Sequence, residues 1–224
     1  MASFLCFMKE GPMRIKILSA CSLLLAACLI MGLARDKVHA QNSSEKPVRI
    51  PDLIQFQNSK NCVAWKTKKR MFLVQTKEAA GVNCDISAEF KQSDEGKLLI
   101  SVSIPINKFD SGEKERDQEV LKILGAETRP RILFSTEISS ELVVEKLAQK
   151  KTVEIPGTLR IKSKDHDVIF KVSKPSESQY VGKLEGSFSQ FSIDPPSVAG
   201  GFVAKVYDEL DLYFRMENVD VASN

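Results

Sequence analysis

From about residue 60 onward the chain alternates apolar and polar residues. Leu98, Ile100, Val102, Ile104 and Ile106 are apolar, and Ser101, Ser103 and Pro105 separate most of them. A period of two puts one apolar face on a half-polar strand. The same period returns at Ile132, Phe134, Thr136 and Ile138, then from Val153 to Ile161, and again at Val168, Phe170 and Val172. It is clearest at Leu210, Leu212, Phe214 and Met216, which alternate with Glu209, Asp211, Tyr213 and Arg215. Val63 to Thr67, Met71 to Thr76 and Asp85 to Phe90 read as shorter strands, and Val48 to Phe56 carries only a weak strand signal. Tyr180 to Phe191 alternates around Gly182, Leu184, Gly186 and Phe188. Its two inward glycines mark a bend or a close approach of backbone. Gln92 to Gly96 and Ser163 to Asp167 read as polar turns, the latter holding His166, and Asp194 to Gly201 as a Pro/Gly loop.

Once, the period changes. Asp110 followed by Glu113 reads as a capping box, Val120, Leu121 and Leu124 share a helical face, and Gly125 is placed to stop the helix. Pro130 then releases the chain into the next strand. Ser140 to Lys151 fits either a helical turn or the end of a hairpin. Strands joined by short turns, without βαβ alternation, give an all-β antiparallel fold. One-sided apolar faces on eight or nine strands of this length predict a barrel with one short inserted helix, apolar inside and polar outside. A sandwich would show a similar pattern with shorter strands.

The amino terminus follows a different logic. Arg14 and Lys16 precede a mostly apolar run from Ile17 to Leu33, and Val38-His39-Ala40 places small residues before Gln41. That is the pattern of a secretory signal peptide over 1–40, with Met13 as an alternative start. Leu25-Ala26-Ala27-Cys28 also has the form of a bacterial lipobox, so an outer-membrane lipoprotein is the competing reading. Both routes imply export. They also reassign the charge: of 32 basic and 29 acidic residues, five and two fall within 1–40, leaving 27 of each in the remainder. A neutral domain has no general pull toward nucleic acid. The rest divides into a polar tether with a first weak strand at 41–59, the barrel at 60–217 and a tail at 218–224.

Little in the mature chain suggests bond-making chemistry. His39 leaves with the signal peptide, and His166 stands alone in what reads as a solvated turn. No Gly-x-Ser-x-Gly elbow, P-loop or Gly-x-Gly-x-x-Gly is present, and no cluster has metal-ligand spacing. We therefore expect a non-enzymatic protein with no cofactor and no metal. Cys62 and Cys84 are a candidate disulfide in an oxidising compartment, with two buried thiols as the alternative. Lys66, Lys68, Lys69 and Arg70 form a basic run that reads either as a solvated edge or as a contact with phospholipid head groups.

The stretch FDSGEKERDQEVL followed by RPRILFST resembles the signature region of the YceI-like family. There a strand leads into a Ser/Thr-Gly turn, an Arg-Asp pair opens a short helix, and Pro precedes an alternating Phe strand. Here these are Ser111-Gly112, Arg116-Asp117, and Pro130 with Phe134. Ile155 to Ile161 is similar to the family's Gly-x-Leu-x-Ile strand, and Phe191-Ser192-Ile193 falls where the family has an Asp-Phe-Gly-Ile-like segment. Ser163 to Asp167 replaces the family's Gly-x-Thr-Arg-type turn, and the Arg and Gly flanking the late Phe motif are missing. The resemblance covers about 60–217 and implies an all-β, extended antiparallel eight-stranded (lipocalin-like) barrel in an exported, periplasmic or secreted bacterial protein. It also implies that a polyisoprenoid, an isoprenoid quinone or another amphiphilic lipid is sequestered inside. Arg116 and Asp117 are expected to position the helix. The expected ligand-lining residues are Leu98, Ile100, Val102, Ile104, Phe134, Val168, Phe170, Phe188, Leu210, Leu212 and Phe214. Expected partners are a lipid or amphiphilic small molecule and no nucleic acid, with peripheral membrane contact and a homodimer left open. A surface or periplasmic interaction protein using the barrel as scaffold is the alternative function.

Overall fold

A computed structural model describes residues 54–72, 74–149, 151–201, 203–217 and 222–223. The signal peptide, the lipobox and the tether at 41–47 lie outside the described residues. Helix α1 is Ile54–Asn58, where the sequence suggested a weak strand. Then come β1 (Cys62–Met71), β2 (Gln75–Asn83), β3 (Ser87–Gln92) and β4 (Lys97–Pro105). Helix α2 (Lys114–Leu124) is followed by β5 (Arg131–Ser139) and α3 (Ser140–Ala148). Next are β6 (Val153–Ile161), β7 (Lys164–Ser176), β8 (Gln179–Ser187), the two-residue β9 (Ser197–Val198), β10 (Ala204–Glu217) and β11 (Ala222–Ser223).

One sheet holds them in the order β11-β3-β4-β5-β6-β7-β8-β10-β1-β2, with β9 beside β10. Every pairing is antiparallel except the short β11–β3 contact, which is parallel. The fold is thus the curled antiparallel barrel that the alternation implied. Nine strands have six residues or more, because Cys84 to Ile86 separates β2 from β3. The β5–β6 ladder is only three pairs long, from Leu133 with Arg160 to Ser135 with Thr158. Pro156, which has no N–H to donate, lies just beyond it.

Near Val82 the edge strand β2 is joined to the segment that follows β4. Val82 N–H donates to the Asp110 carbonyl and Asp110 N–H donates back, both at 2.8 Å. Beside this bridge, the buried Asn83 donates from Nδ2 to the Pro105 carbonyl at 2.8 Å, and its Oδ1 accepts from Asp85 N–H at 2.8 Å. Asn83→Ala would strip both partners, at about 1–3 kcal/mol for each buried group left unpaired. The expected result is a lower denaturant midpoint with an unchanged slope. A loss within about 0.5 kcal/mol would mean that the Val82–Asp110 bridge holds the seam alone.

Helix α2 begins differently from the predicted capping box. Its N-cap is Glu113, without a side-chain cap bond. Asp110 instead accepts from Gly112 N–H at 2.8 Å, and Asp117 Oδ1 accepts from Ser111 N–H at 3.0 Å and Ser111 Oγ–H at 2.6 Å. Arg116 donates to the Ser111 carbonyl at 3.1 Å and pairs with Glu113. The Arg-Asp pair therefore ties the turn to the helix. Gly125 ends the helix in the left-handed region at φ 65°, as its position suggested. Ser140 to Ala148 resolves as helix, and β7 starts at Lys164, earlier than the alternation placed it. His166 is consequently a half-buried strand residue, not a solvated turn residue, and its ring meets Phe191 edge-on at 5.5 Å.

Two cores result. The inward faces of β4 to β10 form the larger one. The smaller lies on the outer wall, where Phe56 of α1 covers Cys62, Ala64, Val82 and Tyr213. Cys62 and Cys84 are joined by a disulfide at its edge.

Candidate functional site

The barrel interior is hollow, with a cavity of about 690 Å³. Register explains which side chains face it. Val102 stands opposite Phe134, Ile155 opposite Phe170, Leu212 opposite Leu184 and Trp65 opposite Leu212, so one face of each strand points to the axis. Ten of the eleven residues expected from sequence line this cavity. The exception is Val168, which is 3% exposed and belongs to the packed part of the interior with Leu184. Val168 stands opposite Gly157 in the β6–β7 ladder. Both residues border a second pocket together with Pro156 and Leu184, so this inward strand position does not reach the main cavity.

Inward glycines keep the remainder open. A Cβ on Gly81 would lie 2.6 Å from Trp65 Nε1, and one on Gly157 would lie 2.5 Å from Phe134 Cε2. A Cβ on Gly182 would overlap the Phe214 ring outright. Each aromatic ring thus lies against a bare stretch of wall and does not project across the axis. Phe170 links two of these rings edge-to-face, with centroids 5.5 Å from both Phe134 and Phe214. Gly182 was legible in the sequence as an inward glycine, whereas its ring partner appears only once β8 and β10 are in register.

Sequence reasoning missed the contributions of the helices. Val120, Ile123 and Leu124 of α2 and Val143 and Leu147 of α3 line the cavity. The spacing of Val120 and Leu124 identified an apolar helical face, but not what the face covers. Trp65, Phe90 and Tyr180 also reach the cavity from strands.

Polar groups in the lining are few and mostly engaged. Thr67 Oγ–H donates to the Glu209 carbonyl at 2.6 Å. Lys174 lies 5.6 Å from the centre of the Tyr180 ring and 3.3 Å from Glu177. Arg116 is held by Ser111 and Glu113. Among the described residues, those left without a partner include two on β1. Trp65 Nε1 is buried without a hydrogen-bond partner, and Lys69 forms no ion pair. Among the described residues, no group of three or more His, Cys, Asp or Glu could hold a metal ion.

The most perturbed titrating groups sit on the outer wall. Lys183 bonds Glu185 at 2.9 Å and Asp211 at 3.1 Å. Burial opposes its charge, but the hydrogen bonds to Glu185 and Asp211 outweigh burial and hold its pKa above the ordinary lysine value. Burial, then the neighbouring Asp211 charge, push the Tyr213 phenol up to about 12. Their ion pairs and the hydrogen bond from Tyr213 to Asp211 brace the β8–β10 wall.

The family profile of the YceI-like domain matches residues 55–218. The chain belongs to the YceI-like family. The matched span takes in all but the first residue of α1, every strand from β1 to β10 and both longer helices, so the hollow interior belongs to the YceI-like domain itself. Similar solved structures include BcnA from Burkholderia cenocepacia, at 19% identity over 69% of this chain and 94% of that one, with a TM-score of 0.49. A polyisoprenoid binding domain from Saccharophagus degradans, implicated in plant cell wall breakdown, is 15% identical over 71% of this chain and 94% of that one, TM-score 0.47. A YceI protein from Campylobacter jejuni is 17% identical over 64% and 86%, TM-score 0.44. Among curated proteins, none matches this YceI-like chain. No helix among the described residues is long and apolar enough to cross a membrane.

Proposed function

We propose that this YceI-like protein is an exported, non-enzymatic carrier that holds one long-chain isoprenoid or similar amphiphilic lipid inside its barrel. The observation that carries this reading is the apolar cavity of about 690 Å³, enclosed by strands and floored by two helices. Its volume falls within the ~300–1,000 Å³ typical of sites that enclose a small ligand. Each buried CH₂ contributes about 0.8 kcal/mol, so a prenyl or acyl chain gains affinity along its length with few polar contacts. The unpartnered Trp65 N–H suits a ligand bearing an acceptor oxygen, such as the carbonyl of an isoprenoid quinone. The Cys62–Cys84 disulfide supports an oxidising location such as the periplasm, reached by cleavage after Ala40 or by lipidation at Cys28.

Mass spectrometry of an organic extract of the protein purified from its native host tests the reading. A stoichiometric chain lipid is the expected result. If no lipid is recovered, and the delipidated protein takes up neither prenyl alcohols nor isoprenoid quinones, the reading is wrong.

A further inference from the structure

The β1–β2 hairpin breaks the usual composition of a turn. Turn residues are normally small and polar, yet this one runs Met71-Phe72-Leu73-Val74 in the sequence. Phe72 is 67% exposed and Val74 is 89% exposed. Phe72 sits at φ 47°, a left-handed conformation that a bulky residue rarely adopts, and it presents its ring to solvent. Its N–H donates to the Val203 carbonyl at 3.1 Å, joining the tip to a neighbouring strand end where Val203 and Tyr207 are also exposed.

Cations ring this apolar tip. Lys69 stands directly opposite Lys77 in the β1–β2 ladder, and Arg70 directly opposite Lys205 in the β1–β10 ladder. Like charges facing each other across strands repel unless an anion lies between them. Among the described residues none of these four cations is in an ion pair, although Lys66 and Lys68 beside them are paired with Glu78 and Glu209. Arg70 Nε is also buried without a hydrogen-bond partner. The acids that line the cavity, Glu113, Glu115 and Glu119, belong to α2 and its N-cap, not to this hairpin.

We propose that the β1–β2 hairpin tip docks the domain on an anionic lipid bilayer, with Phe72 and Val74 entering the interface and Lys69, Arg70, Lys77 and Lys205 meeting the head groups. An exposed aromatic and aliphatic tip inside a cationic ring matches the interface of such a bilayer, whose surface charge attracts each nearby lysine or arginine. The location is also functional. Lys69, Ser197, Ala204 and Val206 line the cavity, and Met71 is in register with Ala204. Docking would set that end of the cavity against the lipid from which a chain is drawn. The docking surface is independent of what the cavity holds.

The test uses the full chain carrying Phe72→Trp, compared with the unsubstituted chain, whose only tryptophan is Trp65. Vesicles contain phosphatidylglycerol and phosphatidylcholine with brominated acyl chains. We expect the emission of F72W to shift to the blue and to be quenched on the anionic vesicles. Adding Lys77→Glu and Lys205→Glu, or Val74→Asp, should weaken this by about tenfold or more. No quenching on anionic vesicles overturns the proposal. So does equal quenching on pure phosphatidylcholine, or quenching that survives the charge reversals. Self-association that V74D abolishes, without any vesicle response, would instead assign the tip to a second copy and also overturns it. Uptake of a fluorescent chain lipid, measured on every variant, shows that the barrel is folded and separates failure of docking from failure of the carrier reading.

Discussion

Replacing Ile100 and Leu212 together with tryptophan is expected to abolish uptake of a chain lipid while leaving the barrel folded. Both residues line the cavity and both are only half-buried, so their side chains border open space. They stand on β4 and β10, five strands apart in sheet order, so the added rings approach one another across the interior. Excluding about four CH₂ groups of ligand costs about 3 kcal/mol, on the order of a hundredfold in affinity. Titration with a fluorescent prenyl or acyl probe reads the loss. Denaturant unfolding of the same variant gives a second, independent answer. In a filled core, inserting this much volume destabilises by about 1–3 kcal/mol or more. In a hollow barrel the rings occupy existing space, and the midpoint should hold or rise. Unchanged probe affinity in a folded variant would place the ligand outside the barrel.

The parts of this molecule written in short-range patterns were readable from the chain alone. Alternation fixed the β-class and the inward face of most strands, because side-chain direction has period two whatever the strand's neighbours. Gly125 announced the end of α2, because a left-handed C-cap is a local demand on one residue. What failed depended on partners distant in sequence. Asp110 and Glu113 have the spacing of a capping box, but Asp117 captures Ser111 and the helix starts without a side-chain cap. His166 looked solvated because its neighbours are charged, yet β7 extends back far enough to bring it against Phe191. Val168 alternates perfectly with its neighbours and still does not reach the main cavity. Whether an inward residue packs or lines a void depends on the residues across the barrel, and Gly81, Gly157 and Gly182 decide that by where they let rings lie. The exposed tip at Phe72 was hidden because Met71 to Thr76 alternates acceptably as a strand, and only the pairing of β1 with β2, Met71 opposite Gln75, shows that the chain turns there.

Removing the disulfide with Cys62→Ser and Cys84→Ser is expected to cost about 2–5 kcal/mol of stability. The bridge spans 22 residues, which in the chain-entropy model is worth about 3 kcal/mol through the unfolded state. A native-state contribution adds to this. Cys62 is 0% exposed and packs with Phe56, Ala64, Val82 and Tyr213, so a serine hydroxyl at that position enters a small apolar cluster with little to bond. The position matters as much as the magnitude. Cys84 directly follows Asn83, the residue that ties β2 to the end of β4, and Arg215 reaches the carbonyls of Phe56 and Gln57 to hold α1 on the same wall. Loss of the bridge should therefore loosen α1 and the β2 end first. Hydrogen exchange at 54–58 and 82–86 should rise well before exchange in β4 to β7, and chain-lipid affinity should fall by less than for the cavity variant. If the midpoint moves by less than about 1 kcal/mol, or exchange rises uniformly, the bridge is incidental to the seam. The outer-wall cluster would then be held by Phe56 alone. A local rise confined to α1 and the β2 end would show that this barrel is closed from outside, leaving its interior free of the side chains that closure would otherwise require.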